Sequence, residues 1–168
     1  LEGRGGRARL GGDPRDLIIG QVLALVEAGR QDDAAAEIDR FDAAFPDRGF
    51  DSAPLRAWAA WRAGKRPEAF EDNEAQIGLF RYWRLEVRRV LGEDPATLLA
   101  EAESLRRQAL DVAPLLDSLL SELLAALGRG EEAASLAAEA LDGTRKLAAT
   151  DVDARAHLGL VAERARRL

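Results

Sequence analysis

A short pattern, in which a helix-ending glycine is followed by polar residues, recurs four times along the chain. Its glycines are Gly29, Gly64, Gly92 and Gly128, which lie 35, 28 and 36 residues apart. Glycine adopts the left-handed backbone conformation that ends a helix without the steric penalty of a Cβ atom. The acids and prolines that follow each glycine suit the first turn of a new helix. Each copy therefore predicts two antiparallel helices joined by a tight turn.

Apolar residues on both sides of these turns repeat at intervals of three and four, which is the period of a helix. No segment alternates with the period of two that a strand requires. Pro46 ends the second helix of the first hairpin, and Asp94 and Asp151 precede later helices as N-caps. The sequence predicts an all-α fold of eight or nine helices, in about four antiparallel hairpins plus a C-terminal capping helix. Residues 67–91 leave two interpretations open, namely one long helix or two helices separated at Gly78.

Composition bounds the size and organisation of the protein. With 168 residues, of which 47% are hydrophobic, the chain can build one domain with a sizeable core. We expect residues 1–14, which are rich in glycine and arginine, to be a flexible lead-in, and residues 15–168 to be that domain. No apolar run reaches the roughly 18 residues needed to cross a bilayer. We therefore expect a cytoplasmic protein that does not bind or span a membrane.

The amino-acid composition also excludes several classes of function. The chain has no Cys and one His, so disulfides, thiolate zinc sites and cysteine nucleophiles are excluded and little remains for imidazole chemistry. There is no phosphate-binding glycine loop and no nucleophile elbow. We expect no cofactor, no metal and no enzymatic activity. The formal net charge of −6 is opposite in sign to that of most nucleic-acid binders, which makes a nucleic-acid partner an unfavoured prediction.

The turns resemble those of the tetratricopeptide repeat family, in which a glycine closes the first helix, a small alanine follows five residues later and a proline often ends the second helix. Gly29, Ala34 and Pro46 match all three positions. The later pairs of glycine and alanine are Gly64 with Ala69 and Gly128 with Ala133, whereas the third copy departs from the pattern because Thr97 replaces the alanine. The resemblance implies an α-α superhelix that acts as a scaffold for a protein or peptide partner, as a module of a larger regulatory or assembly protein.

In the tetratricopeptide repeat family, side chains from the first helix of each hairpin line a concave groove. Carried over to this chain, the residues implied to bind a partner are Trp58, Trp61, Arg62, Trp83, Glu86 and Arg89. All three tryptophans of the chain fall on this groove, and tryptophan and arginine are enriched where interfaces concentrate their binding energy. The alternative is that the tryptophans fill the core, because the helix over residues 54–63 is apolar almost all round.

A basic segment and the single histidine are two further features to interpret. The run from Arg81 to Arg89 is the densest basic segment, and it indicates a nucleic-acid or anion site, a solvated face, or ion pairs with nearby acids such as Glu71 and Glu74. A third function class is a small-ligand sensor or enzyme with an enclosed aromatic pocket. His157 has no carboxylate at hydrogen-bonding spacing and is predicted to be a surface or lightly packed residue.

Overall fold

The computed structural model describes residues 14–46, 51–72 and 77–168, and in these ranges it contains helices and no strand. The all-α prediction is therefore confirmed for the described part of the chain. The predicted lead-in lies outside the described residues, except for its last residue, Pro14, which begins the first helix. The helices are α1 (Pro14–Glu27), α2 (Gln31–Ala44), α3 (Ala53–Arg62), α4 (Gly78–Val90), α5 (Pro95–Gln108), a 3-10 turn (Leu110–Val112), α6 (Ala113–Ala126), α7 (Gly130–Ala148) and α8 (Val152–Arg167).

The four glycine turns share one geometry, which confirms their prediction as helix ends. All four glycines have a positive φ, between 73° and 88°. After α1, the Gly29 N–H donates to the carbonyl of Val26 at 3.1 Å and the Arg30 N–H donates to that of Leu25 at 2.9 Å. The same two bonds recur at the three other glycines. This Schellman motif satisfies two of the carbonyls that a helix end leaves without a partner.

The predicted helix starts and close contacts are also present. Asp94 accepts a hydrogen bond from the backbone N–H of Thr97 at 2.9 Å, and Asp151 accepts one from Ala154 at 2.9 Å. These side-chain caps satisfy donors at the starts of α5 and α8. The small residues after the first and fourth turns are fully buried, as the close approach of two helices requires; they are Ala34 and Ala133, each 0% exposed.

The second predicted hairpin is wrong. After α3 and its glycine turn, residues 66–72 are irregular, and Ala69 is exposed instead of lying between two helices. Pro67 biases the preceding Arg66 toward extended backbone. Phe70 is the only large apolar residue in this stretch, so a helix here would have no apolar face to bury. Within the described residues there are three helix hairpins instead of four, and because α4 begins at Gly78 the long-helix interpretation of residues 67–91 is wrong as well.

Four of the helices form a row, against which the other helices pack. Helices α1, α3, α4 and α6 are neighbours in that order, while α2 packs on α1 and α3, and α5 packs on α4 and α6. Helix α7 packs on α6, and α8 turns back from α7 to contact α1 and α6. One cluster of buried apolar side chains extends from Ile18 in α1 to Val161 in α8. None of the described helices combines the length and the apolar character that a bilayer span requires.

Candidate functional site

Helix α8 covers the surface on which two of the three tryptophans lie. Trp58 and Trp83 are 2% and 0% exposed, and their rings stack with centroids 4.9 Å apart and an interplanar angle of 14°. The His157 ring of α8 lies 4.6 Å from the Trp58 ring. The repeat pattern thus brings these side chains together, but the expectation of an open groove at Trp58 and Trp83 is corrected. These two rings are core, as the alternative interpretation predicted.

His157 is buried, and its prediction as a surface residue is wrong. The Trp83 indole N–H donates to Nε2 of His157 at 2.9 Å, and Nδ1 lies 2.6 Å from the carbonyl oxygen of Asp153. These partners require a neutral imidazole that donates from Nδ1 and accepts at Nε2. Burial lowers the pKa of His157 to about 4. Its partner is an indole 74 residues away in the chain, so a search for a nearby carboxylate could not find it.

A buried ion pair joins α4 to α8. Arg164 donates to both oxygens of Glu86 at 2.5 and 2.7 Å, and the two side chains are 1% and 0% exposed. The Tyr82 hydroxyl donates to Glu86 at 2.9 Å, and Arg89 donates to it at 3.1 Å. Burial acts to raise the pKa of Glu86, but the charge and hydrogen bonds of Arg164 outweigh burial and lower this pKa to about 2. Glu86 is therefore not free to meet a partner, which corrects its assignment to the groove.

Three of the six predicted groove residues remain accessible, and we call them the Trp61 edge: Trp61, Arg62 and Arg89. The half-buried Trp61 ring packs edge-on against Trp58, with centroids 5.1 Å apart. The guanidinium carbons of Arg62 and Arg89 lie 5.9 and 5.8 Å from the Trp61 centroid, within cation–π range. Arg89 also pairs with Glu86. Arg62 is exposed and, within the described residues, has no ion-pair or hydrogen-bond partner.

The arginines of the predicted basic run are paired. Their partners are Asp72 for Arg81 at 3.4 Å, the Phe70 carbonyl for Arg84 at 3.1 Å, Glu93 and Glu101 for Arg88, and Glu86 for Arg89. The two carboxylates bonded to Arg88 raise the pKa of its guanidinium further. The interpretation of the run as a set of ion pairs is confirmed, although not through Glu71, and Glu74 lies outside the described residues. A run neutralised in this way offers little charge to a phosphate backbone.

A cavity of about 240 Å³ lies between α1, α3 and α8. Its lining comprises the apolar residues Leu23, Val26, Trp58 and Ala156, the polar residues Glu27, Gln31 and Arg62, and Gly29. Partial burial raises the pKa of Glu27, and the charge of Arg62 opposes this rise. Glu27 and Arg62 do not form an ion pair with each other, and within the described residues neither has another ionic partner.

Among the described residues, no group of three or more His, Asp or Glu side chains is placed to hold a metal ion.

No protein-family model, curated protein or solved structure matches this chain. The fold and the site themselves define the class of this protein: it is all-α, with helix pairs joined by glycine turns and an arginine–tryptophan surface at one edge. The likeness to tetratricopeptide repeats is a matter of sequence pattern.

Proposed function

We propose that this chain is a protein-interaction domain whose Trp61 edge binds an acidic segment of a partner protein. The observation that carries the proposal is the Arg62 guanidinium, which is exposed, lies 5.9 Å from the centroids of both Trp58 and Trp61, and has no ionic partner in the described residues. Of the other groove residues, Trp58, Trp83 and Glu86 are buried, Arg89 is paired with Glu86, and the half-buried Trp61 carries no charge. Arg62 is thus the group with unused binding capacity.

The chemistry of the edge favours a carboxylate ligand. A guanidinium presents a rigid fork of N–H donors that matches a carboxylate in a bidentate pair. The two indoles beneath Arg62 restrict its motion, so less conformational entropy is lost when it binds. Trp61 adds apolar area beside this charge, and Arg89 places a second guanidinium on the same ring. Tryptophan and arginine together are typical of residues that dominate binding energy at interfaces.

The scaffold role that the resemblance implies is part of the same proposal. Helix pairs that stack side by side present a continuous surface to a partner, and such a module serves a larger regulatory or assembly protein. Because α8 covers Trp58 and Trp83, the surface offered to a partner is the edge at the C-terminal ends of α3 and α4. The proposed ligand is therefore a short segment, and not a helix laid along the whole stack.

Peptides selected from a random display library against the whole chain test the proposal. We expect the selected peptides to carry Asp or Glu, and we expect Arg62→Ala to weaken their binding by about thirtyfold, the equivalent of ~2 kcal/mol. Arg66→Ala is the matched control, because Arg66 is an exposed arginine four residues further on that lies outside the edge. Isothermal titration calorimetry gives the affinities and thermal melts confirm that both variants fold. Peptides without acids, or equal losses in the two variants, would contradict the proposal.

A further inference from the structure

The cavity between α1, α3 and α8 has the size of a site for a small ligand. Its volume of about 240 Å³ is several times the ~30 Å³ that one water occupies in the liquid. It is somewhat smaller than the ~300–1,000 Å³ of sites that enclose drug-sized molecules. A ligand of amino-acid size matches this volume.

Two opposite charges face this cavity without neutralising each other. The Glu27 carboxylate and the Arg62 guanidinium both line it, and within the described residues neither takes part in an ion pair. Glu27 is an exposed residue whose pKa is raised by partial burial, so its carboxylate is accessible and its charged form gains from a cation brought to it. A ligand with one charge would pair one of these residues and desolvate the other without compensation. A ligand with both charges pairs both.

Three of the apolar residues that line the cavity belong to the core. Trp58 is one of them, and its ring lies against those of Trp83 and His157, with centroids 4.9 and 4.6 Å away. Leu23 and Val26 of α1, which are 1% and 6% exposed, are the other two. A site that is formed before the ligand arrives binds without the cost of ordering its own side chains.

We propose that this cavity binds a small zwitterion of the amino-acid class, with its ammonium group on Glu27, its carboxylate on Arg62 and its side chain against Trp58. The cavity shares Arg62 with the Trp61 edge, but the proposal does not rest on peptide binding there. Glu27 belongs to the cavity alone, and Arg89 belongs to the edge alone. Loss of zwitterion binding in Glu27→Gln with peptide binding retained would separate the two sites.

The test is calorimetric titration of the whole chain with each of the twenty common L-amino acids, followed by two derivatives of the best ligand. The amide derivative lacks the carboxylate, and the N-acetyl derivative lacks the ammonium group. We expect at least one amino acid to bind at or below about 10 mM, and each derivative to bind at least about tenfold more weakly. If no amino acid binds, or if both derivatives bind as well as the parent, the proposal is overturned.

Variants of the two charged residues test which group of the ligand each one binds. Glu27→Gln should weaken binding of the amino acid by about tenfold and leave binding of the N-acetyl derivative undiminished, because the unpaired carboxylate is gone. Arg62→Gln should show the reverse selectivity and leave binding of the amide undiminished. Glu68→Gln and Arg66→Gln are matched controls, since both residues are exposed and neither lines the cavity. Equal losses in the site variants and the controls would also overturn the proposal.

Discussion

Arg164→Met is the substitution that most strongly tests the docking of α8 on α4. Methionine keeps most of the length of arginine, so the change removes the charge and the hydrogen bonds more than the packing. Glu86 would then remain at 0% exposure without its bidentate partner, although Tyr82 at 2.9 Å and Arg89 at 3.1 Å still bond to it. Removing one member of a buried ion pair costs about 3–5 kcal/mol. Because two partners remain, we expect the lower end, ~3 kcal/mol.

A second variant isolates the electrostatic origin of this loss. Glu86→Gln combined with Arg164→Met replaces the orphaned carboxylate by a neutral amide that still accepts the Tyr82 hydrogen bond. Since a buried amide costs much less than a buried charge, the double variant should be more stable than Arg164→Met alone by about 1.5 kcal/mol or more. Such non-additivity is typical of residues that are in contact or belong to one hydrogen-bond network.

Urea unfolding monitored by tryptophan fluorescence measures these differences, because the buried Trp58 and Trp83 become exposed on unfolding. Arg166→Met is the control, since Arg166 is an exposed arginine of the same helix, and its effect should stay within about 0.5 kcal/mol. A cost below about 1 kcal/mol for Arg164→Met would refute the reasoning, given what breaking a buried pair costs. A double variant that is no more stable than Arg164→Met alone would refute it as well.

Three further predictions concern pH, the turns and the small residues. The pKa of His157 is about 4 in the fold against 6.5 for the free side chain, so its contribution to stability is complete above pH 6.5 and declines by about 3 kcal/mol as the pH falls to 4. In urea unfolding at several pH values, His157→Gln should flatten this decline between pH 4.5 and 6.5, because glutamine does not titrate and still offers an acceptor to Trp83. Gly92→Ala should cost ~1 kcal/mol at its φ of 88°, whereas Gly159→Ala, within α8 and with open space around it, should stabilise by ~0.5–1 kcal/mol in thermal melts. Ala133→Leu should cost about 1–3 kcal/mol by overpacking a residue that is 0% exposed, and a melting temperature equal to that of the parent would contradict its position between helices.

The glycine turns could be predicted because their physics is local. A Schellman turn depends on one residue that tolerates positive φ and on carbonyls within the preceding turn of helix. The same locality explains the success at Asp94 and Asp151, whose side chains bond to a backbone N–H three residues further on. The second hairpin failed where one local signal was given too much weight. Gly64 does end a helix, but Pro67 and the lack of apolar residues around Phe70 prevent another from following it.

The site was predicted only in part, because its accessibility depends on contacts between distant residues. The repeat pattern correctly brought Trp58, Trp61 and Trp83 together on neighbouring helices. It did not predict what covers two of them, since the contacts of α8 join residues separated by 74 and 78 positions. A signal was present in α8, where the buried residues His157, Val161 and Arg164 recur at helical spacing. Because this stripe includes an arginine, its composition does not indicate an apolar face that must be buried.

The chain has a single histidine, so nuclear magnetic resonance of its imidazole tests most directly whether α8 lies on the tryptophans. With ring centroids 4.6 Å apart, the His157 protons should show strong nuclear Overhauser effects to the Trp58 indole and resonances shifted by its ring current. Their titration in the folded protein should have a midpoint near pH 4. A midpoint near 6.5 under native conditions, without contacts to the indole, would contradict the account and leave Trp58 and Trp83 in an open groove.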